Sequence, residues 1–478
     1  NVAQQVIAPL AISASTQLRA VAVDDDSGAV VASFSGAYLF LDDDAAQLSP
    51  NLPVPVFWSA GAVPQQKDDI YADFTLLIYE PGAGGRVQFP ASAKDASRAS
   101  IKIHGSSTAG YPKHPWRVKL RDDADDGEHD VALLGMPADA NWILGAPLDF
   151  DRALMRTTLA YTISRSMGRY AARTQHAEVF IAGEGTAVGM KDYVGVYEVT
   201  ERLERAPQRV DIAGLDHGDT LAPAVTGGYI FKQDRAGPDD IGFSAGNAGG
   251  AFSWTGPFFY VEPAQQDVAA QQNAFITAFV DDVGAALASP DHTSPTSGLT
   301  YDQLLDVDSF IDHHIVNVFT KNPDAFRLSG FYHKDRNGLL NAGPVWDFDR
   351  TMGCASDGRA SDPTWWDATN VTTDTTPMFD FGFYRGLFAD PAFTARYWAR
   401  FADVIDGPLS PAVLDPFIDA NAAKLEEAST RNFARWSDYG PRGTYDDEVA
   451  TLKTWIAARH DWIKQCLALS DPRTCTGA

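Results

Sequence analysis

The sequence predicts an α+β fold with two lobes. Apolar or alternating runs bounded by Gly, Pro and Asp, which are typical of strands, fill the first part of the chain. Amphipathic patterns typical of helices dominate after about residue 265. One further helical pattern, at residues 151–167, lies among the strands. An order of strands followed by helices favours the α+β class.

The overall composition permits a large hydrophobic core and limits the kinds of binding partner. The 478 residues are 45% hydrophobic and 11% aromatic, which suffices for a packed interior and does not indicate disorder. The formal net charge of −25 repels nucleic-acid backbones and anionic membrane surfaces. A phosphate-bearing ligand must therefore be held by a local basic site or by metal ions. The apolar runs are too short to span a membrane.

The chain divides by pattern into three predicted regions. Residues 1–95 are β-rich and form either a separate module or extra strands on the next unit. Residues 96–203 form the first lobe, and residues 204–478 form a mainly helical second lobe. The strands predicted in the first region are the runs LRAVAVDD, AVVASFSGAYLFLDD, VPVFWS and DFTLLIYEPGAGG.

The first lobe begins with a strand–loop–strand unit. The runs SIKIHG and WRVKL are predicted strands, and Arg117 and Lys119 alternate on the second, so both point to one face. The loop between them could hold phosphates by its backbone N–H groups, with Lys119 reaching in, or it could be an ordinary surface turn. The loop residues concerned are Gly105, Ser106, Ser107 and Thr108.

A helix and three strands complete this part of the prediction. The helix 151–167 is expected to be capped by Asp149 or Asp151 and to end at Gly168. Lys232 and Asp234 alternate on the last strand and could face a cleft. The three predicted strands are HAEVFIAG, the first part of DYVGVYEVTERLER, which ends in a short charged helix, and GGYIFKQD.

Five amphipathic segments predict the helices of the second lobe. His313 and His314 lie on the second of them and are expected to pack in the core. The segments are QQNAFITAFVDDVGAAL, VDSFIDHHIVNVFTKN, AFTARYWARFADVI, PAVLDPFIDANAAKLEEAST and DEVATLKTWIAARHDWIKQCLAL.

Carboxylates in an aromatic setting are the main candidates for chemistry. Asp347 and Asp349 lie two residues apart in AGPVWDFD and suit Mg²⁺, a hard cation that prefers oxygen ligands. The alternative is a turn cap or pairing with Arg350 and Arg152. Asp324 follows TKNP at the end of a helical pattern and could act as a general base in phosphoryl transfer. The alternative there is an Asx turn, which NPD favours.

The order of these motifs along the chain supports a role in phosphoryl transfer more strongly than any one motif does. A Gly/Ser loop, a strand lysine, a helix, a linking segment, Asp324 and, 23 residues later, Asp347 follow one another along the chain. Protein kinases use this order: phosphate loop, lysine, helix, hinge, base Asp and metal Asp.

Several blocks together resemble the CotH kinase family of exported and spore-coat proteins, over roughly residues 50–400. The resemblance implies an atypical, two-lobed protein-kinase-like fold that binds ATP with Mg²⁺ or Mn²⁺. It also implies phosphoryl transfer to Ser or Thr hydroxyls of exported proteins. The blocks are HGSSTAGYPKHPWRVKL, NWILGAPLDFDRALMRTTLAYTISRSMG, AEVFIAG, YVGVYEVTERL, GGYIFKQD and KNPDAFRLSGFYHKDRNGLLNAGPVWDFDRTMG.

The resemblance assigns roles residue by residue. Asp324 matches the catalytic Asp and Asp347 the metal-binding Asp, with Asp349 as a second metal ligand. Lys119 is the expected phosphate-contacting lysine and Lys113 its rival. The nucleotide-binding set is completed by Ser106, Ser107 and Arg117, with Glu198 near the adenine.

Two departures from the family pattern stand out. Ser329 occupies the position, five residues after Asp324, where many members have an Asn that serves the second metal. The helix 151–167 has no Glu to pair with the lysine, and Asp149, Asp151 or Glu201 are the substitutes the sequence offers. These departures keep a non-catalytic surface or coat protein on the same fold as an alternative.

The spacing of the cysteines indicates the cellular compartment of the protein. Cys466 and Cys475 flank a short Pro-containing loop, which suits a disulfide in an oxidising compartment, and Cys354 is expected to be buried. We therefore expect a secreted, periplasmic or cell-surface protein whose N-terminus is a mature end left after cleavage.

A third alternative is a glycoside hydrolase with an aromatic sugar cleft. It depends on a set of tryptophans, although aromatics at helical spacing are more often core. The residues are Trp365, Trp366, Trp398 and Trp436.

Overall fold

The computed structural model of the protein describes residues 11–68, 70–89, 95–106, 108–122, 126–236, 242–245, 257–369 and 375–477. These residues form eight α-helices and four β-sheets, which confirms the predicted mixture of helices and sheets. Residue contacts divide the chain into two compact units. The first contains residues 1–154, 174–202 and 423–441, and the second contains residues 155–173, 203–422 and 442–478.

The first unit is built on a closed, seven-stranded barrel in the order β3-β4-β5-β6-β7-β9-β8. Neighbouring strands are antiparallel except β3 and β8, whose parallel pairing closes the barrel. A separate hairpin, β1–β2, and a short helix, α1, precede it. The bounds are β1 Thr16–Val23, β2 Val30–Tyr38, α1 Asp43–Ala46, β3 Val54–Ser59, β4 Ala72–Tyr79, β5 Asp95–Ile103, β6 Trp116–Arg121, β7 Asn141–Gly145, β8 Thr174–Gly183 and β9 Tyr193–Glu201.

Alternation along the strands explains how the barrel fills. On β6 the buried side chains Trp116, Val118 and Leu120 alternate with partly exposed basic residues. The buried set joins the apolar cluster that fills the barrel interior. Arg117 and Lys119 therefore point outward on one face, as their spacing predicts. Closure of the barrel is not apparent from the sequence, because it depends on pairings between distant strands.

Two predicted details of the helices were wrong. The helix expected from residue 151 is α2, Arg156–Ser166, and neither Asp149 nor Asp151 caps it. Leu154 has a φ of 61°, a left-handed conformation that cannot continue into a helix, so α2 begins after it. The short charged helix expected after β9 is replaced by a turn, in which Glu204 pairs with Arg209.

The second unit contains a five-stranded antiparallel sheet in the order β11-β12-β10-β13-β14 and a two-stranded ribbon, β15–β16. The strands are β10 Tyr229–Gln233, β11 Gly242–Phe243, β12 Phe258–Glu262, β13 Gly330–Lys334, β14 Leu340–Ala342, β15 Ala368–Thr369 and β16 Thr375–Thr376.

All five predicted helices after residue 265 are present, together with one short helix, α5, that was not predicted. Helix α4 packs against helix α2 and strand β14. The helices are α3 Ala270–Ala288, α4 Val307–Thr320, α5 Phe383–Leu387, α6 Pro391–Ile405, α7 Pro411–Arg435 and α8 Tyr445–Leu467.

Aromatic side chains form the core around α4. His314 is fully buried, stacks on Phe326 with ring centroids 5.1 Å apart, and its Nδ1 lies 2.9 Å from the Tyr397 hydroxyl. Trp366 and Trp398 pack together 5.3 Å apart within the same helical region. The histidines are core residues as predicted. Of the four tryptophans of the hydrolase alternative, Trp366 is buried and Trp398 is half-buried against it, whereas Trp365 is 43% exposed.

The predicted cysteine chemistry is confirmed. Cys466 and Cys475 form a disulfide, and Cys354 is free and buried. Within the described ranges, no α-helix combines the length and the apolar character needed to cross a bilayer.

Candidate active site

The chain leaves α4 through a tightly held turn at residues 321–324. Lys321 adopts a left-handed conformation with a φ of 54°, which ends the helix. Its buried ammonium donates to the carbonyls of Asp362 and Thr364 at 2.7 and 2.6 Å. Asn322 Oδ1 accepts the N–H of Asp324 at 3.0 Å, so the Asx turn that NPD favours is present. This turn presents Asp324 just beyond the helix end.

Three arginines surround the carboxylate of Asp324, which is 16% exposed. Arg327 Nη2 lies 3.2 Å from Oδ1, and Arg350 Nη1 lies 3.3 Å from Oδ2. Arg359 Nη2 is farther away, 3.8 Å from Oδ1. Asp357 Oδ2 binds two of these cations, at 2.7 Å from Arg350 Nη2 and 2.8 Å from Arg359 Nη2. The carboxylate expected to be the general base is therefore oriented by cations.

Asp234, Ser329 and Asp347 lie near the five-stranded sheet of the second unit. Strands β10 and β13 are antiparallel and pair as far as Gln233 and Gly330. Asp234, just after β10, and Ser329, just before β13, therefore lie at the same end of the two strands. Ser329 Oγ lies 3.4 Å from Asp347 Oδ2. The charge of Asp234, whose Oδ2 lies 2.8 Å from Lys232 Nζ, also helps to raise the pKa of Asp347.

The backbone of Asp347 is held in an uncommon conformation. Its φ is 67°, a left-handed value that costs a non-glycine residue about 1–3 kcal/mol. The Asp347 N–H donates to the hydroxyl of Tyr161 on α2 at 3.3 Å, and its carbonyl accepts from Asn322 Nδ2 at 3.4 Å. Tyr161 in turn stacks on Trp346, with ring centroids 5.7 Å apart. These contacts fix the direction of the Asp347 carboxylate.

The electrostatic setting of Asp347 disfavours its negative charge. The side chain is open to solvent, yet the surrounding protein is dense enough to desolvate it. This desolvation, followed by repulsion from Asp324 and Asp234, raises the pKa of Asp347 to about 6. The hydrogen bond from Ser329 and the charge of Arg350 oppose the rise. A bound cation would offset the repulsion that the three carboxylates create.

Asp349 contributes charge to this group. Its carbonyl lies 2.9 Å from Cys354 Sγ, which anchors the backbone. Burial alone would lower the pKa of Arg350, but the charges of Asp324, Asp357 and Asp349 raise that pKa overall. Asp349 thus belongs to the charge balance around Arg350, and its metal-binding role stays a prediction.

The donor set fits a magnesium ion that also binds phosphates. The described part of the chain has no group of three or more His, Cys, Asp or Glu side chains placed to hold a metal by themselves. Mg²⁺ keeps several waters and usually takes one or two protein carboxylates together with phosphate oxygens. Asp347 offers one such carboxylate, and Ser329 Oγ lies 3.4 Å from it.

The predicted phosphate loop lies in the first unit. Gly105 has a φ of 88°, and a Cβ there would lie 2.2 Å from Thr108 Oγ1, so the turn requires glycine. Ser106 is exposed, and Ser107 lies outside the described residues. The phosphate-binding role of this loop stays a prediction.

The outward-facing basic residues of β6 each have a partner. Lys119 Nζ lies 2.6 Å from Glu128 Oε1, and Arg117 Nε donates to His104 Nδ1 at 3.2 Å. A phosphate contact by Lys119 would replace the pair with the half-exposed Glu128.

Lys113, the rival lysine, is fully buried in the first unit. Its ammonium donates to Pro147 O at 2.8 Å, Val196 O at 2.5 Å and Asn432 Oδ1 at 2.9 Å. An ammonium has three N–H donors, so these bonds use all of them. Burial lowers the pKa of Lys113 to about 7. In this arrangement Lys113 cross-links three segments of the unit.

Two carboxylates act on Lys113 in place of a helix Glu. Glu198 and Asp151 are both buried, and their charges oppose the lowering of the Lys113 pKa. Glu198 Oε1 also lies 3.9 Å from Nε2 of the buried His176. Asp149 instead pairs with Arg152 at 3.3 Å. The sequence analysis proposed Asp151 as a substitute partner and placed Glu198 near the adenine.

Sequence reasoning missed three residues of the second-unit site. Tyr161 and Asn322 carry the backbone of Asp347, and Arg327 orients Asp324. Arg350 was expected as a partner of Asp347 or Asp349, and it also donates to Asp324. Arg327 could have been suspected from its position three residues after Asp324. No sequence signal pointed to Tyr161, because α2 lies far from WDFD in the chain.

This is a mixed α/β protein whose carboxylates converge at the edge of a sheet and the end of a helix, an arrangement suited to metal-assisted phosphoryl transfer. The family model "CotH kinase protein" matches residues 101–463, most of the chain. The chain therefore belongs to the CotH kinase family, as its motifs predict. No curated protein matches the chain.

Proposed function

We propose that the protein is an atypical kinase that transfers the γ-phosphoryl group of ATP, with Mg²⁺ or Mn²⁺, to Ser or Thr hydroxyls of exported or surface proteins. The observation that carries the proposal is Asp347 within one unit, bonded to Ser329, held through its carbonyl by Asn322 in the turn that presents Asp324, and acted on by the charges of Asp324 and Asp234. Membership of the CotH kinase family supports it independently.

The proposed roles follow from the contacts. Asp347, with Ser329 and Asp349 as further candidates, would hold the metal, which when bound neutralises phosphate charge. Asp324 would orient the acceptor hydroxyl and receive its proton. Its arginine partners hold the carboxylate in one direction.

A kinase-like pairing of two lobes belongs to the same proposal. Under it, the first unit supplies nucleotide contacts through Ser106, Ser107, Lys119 and Arg117, with Glu198 near the adenine. Export to the cell surface, the periplasm or the medium is supported by the disulfide Cys466–Cys475.

Thermal unfolding with ATP and Mg²⁺ tests the proposal. At about a hundredfold excess over the dissociation constant, MgATP should stabilise the protein by about 2.7 kcal/mol. The shift should require the metal and disappear in Asp347→Asn. Asp308→Asn, which removes an exposed charge from the same unit, is the matched control and should keep the shift. No shift in the unmodified protein with either metal would refute the proposal.

A non-catalytic surface or coat protein is the second candidate. The observation in its favour is the enclosure of Asp324 by three arginines, together with Ser329 in place of Asn. A protein that shows the MgATP shift but forms no ADP and no phosphorylated product would fit this candidate better.

A further inference from the structure

The three arginines around Asp324 differ in how fully their donors are used. Arg359 is 4% exposed and donates to Asp357, Pro323 and Thr376. Arg350 divides its guanidinium between Asp324 and Asp357. These two are therefore engaged by residues other than Asp324.

Arg327 uses one of its two terminal nitrogens for hydrogen bonds within the described residues. Both of its hydrogen bonds come from Nη2, to Asp324 Oδ1 and Pro323 O at 3.2 Å each. Its Nε finds no partner among the described residues. A guanidinium has five N–H donors; two of them, on Nη2, are used and Nε is buried, so the two on Nη1 stay available to a ligand. The side chain is 30% exposed, which leaves room for a ligand beside it.

The loop that carries Arg327 is rigid. Phe326, with a φ of 67°, is buried between His314 and Tyr384, whose ring centroids lie 5.1 and 4.5 Å from its own. The N–H of Leu328 donates to the carbonyl of Asp324 at 3.0 Å. The guanidinium is therefore presented to Asp324 by a fixed backbone.

We propose that Arg327 is a catalytic residue that contacts the phosphoryl group during its transfer. This inference rests on the proposed kinase function. In the reaction, the bond from the γ-phosphorus to the bridging oxygen of ADP breaks and a bond to the acceptor hydroxyl oxygen forms. The hydroxyl proton passes to Asp324, and ADP leaves.

The position of Arg327 gives it a share in this step. Its Nη2 lies 3.2 Å from the carboxylate that receives the proton, and under the proposal the acceptor hydroxyl binds at that carboxylate. Negative charge spreads over the equatorial oxygens in the transition state, and a guanidinium there is worth 10³–10⁵ in turnover. Arg327 supplies this charge from the same rigid loop as Asp324.

The test compares matched variants of the full chain. Turnover of saturating MgATP is measured as ADP formed, with water or casein hydroxyls as acceptor, and thermal unfolding with MgATP is measured in parallel. Arg327→Gln should lower kcat about 10³-fold and keep the MgATP shift, because the contact forms only in the transition state. Arg327→Lys should recover part of the loss. Arg350→Gln, which also removes a partner of Asp324, should cost less than about tenfold.

Two results would overturn the inference while leaving the kinase proposal intact. One is turnover of Arg327→Gln within about threefold of the unmodified protein. The other is an equal loss in Arg327→Gln and Arg350→Gln accompanied by loss of the MgATP shift, which indicates a shared structural role. An unmodified protein that forms no ADP would instead refute the kinase function, and the inference with it.

Discussion

Metal affinity should fall as the pH is lowered, because Asp347 must lose its proton to bind a cation. Its pKa is raised to about 6 from an ordinary 3.8, first by desolvation and then by Asp324 and Asp234. Between about pH 7.5 and pH 5, a ligand with this pKa goes from nearly all ionised to about one-tenth ionised. The apparent Mn²⁺ affinity should therefore drop by at most about tenfold, since solvent screens part of the interaction. An unperturbed Asp would change the affinity by less than about a tenth over the same range.

The assay is a titration with Mn²⁺, monitored by water proton relaxation. Nucleotide is left out, because its phosphates titrate in the same pH range. Asp347→Asn should bind weakly and show no drop. The raised pKa of Asp347 also sets the direction in which folding stability changes with pH. Without metal, the folded protein holds the Asp347 proton more tightly than the unfolded chain does. Its stability should therefore decline as the pH rises from about 4 to about 6, and Asp347→Asn should flatten this slope. An affinity that stays constant from pH 7.5 to pH 5 refutes the reasoning.

Two further predictions concern the stability of each unit. Replacing Cys466 and Cys475 with serine should cost about 2–3 kcal/mol in urea unfolding, because a loop with a sequence separation of 9 is released; an unchanged midpoint would contradict this. Arg431→Ala should cost about 3–5 kcal/mol, because it leaves the fully buried Glu178, now 2.5 Å from Arg431 Nη2, without its cation. Lys453→Ala, which breaks an exposed ion pair, is the control and should cost less than about 1 kcal/mol; equal losses in the two variants would be the contrary result.

The elements of this fold could be predicted where periodicity is local. The period of two on β6 and the helical spacing of α3, α4, α6, α7 and α8 are properties of single segments, and the structure contains them nearly as expected. Barrel closure could not be predicted, because the parallel pairing of β3 with β8 joins Val56 to Phe180 across most of the first unit. The start of α2 was mispredicted for a similar reason, since the residue type of Leu154 does not indicate a left-handed conformation.

The candidate site divides in the same way. Asp324 and Asp347 could be found from their order in the chain and from the family's motifs. Their surroundings could not, because Tyr161 and Arg359 reach them through tertiary packing. The strained φ of Asp347 is likewise set by those distant contacts rather than by the local sequence.

The central claim is tested most directly by following the γ-phosphoryl group itself. The protein is incubated with ATP labelled in the γ-position and Mg²⁺, and the label on Ser and Thr of the protein and of added casein is identified by mass spectrometry. We expect metal-dependent labelling of hydroxyl side chains that is lost in Asp324→Asn, while this variant keeps its MgATP-induced thermal shift. Binding of MgATP without any labelled hydroxyl, or labelling that survives Asp324→Asn, would contradict the account.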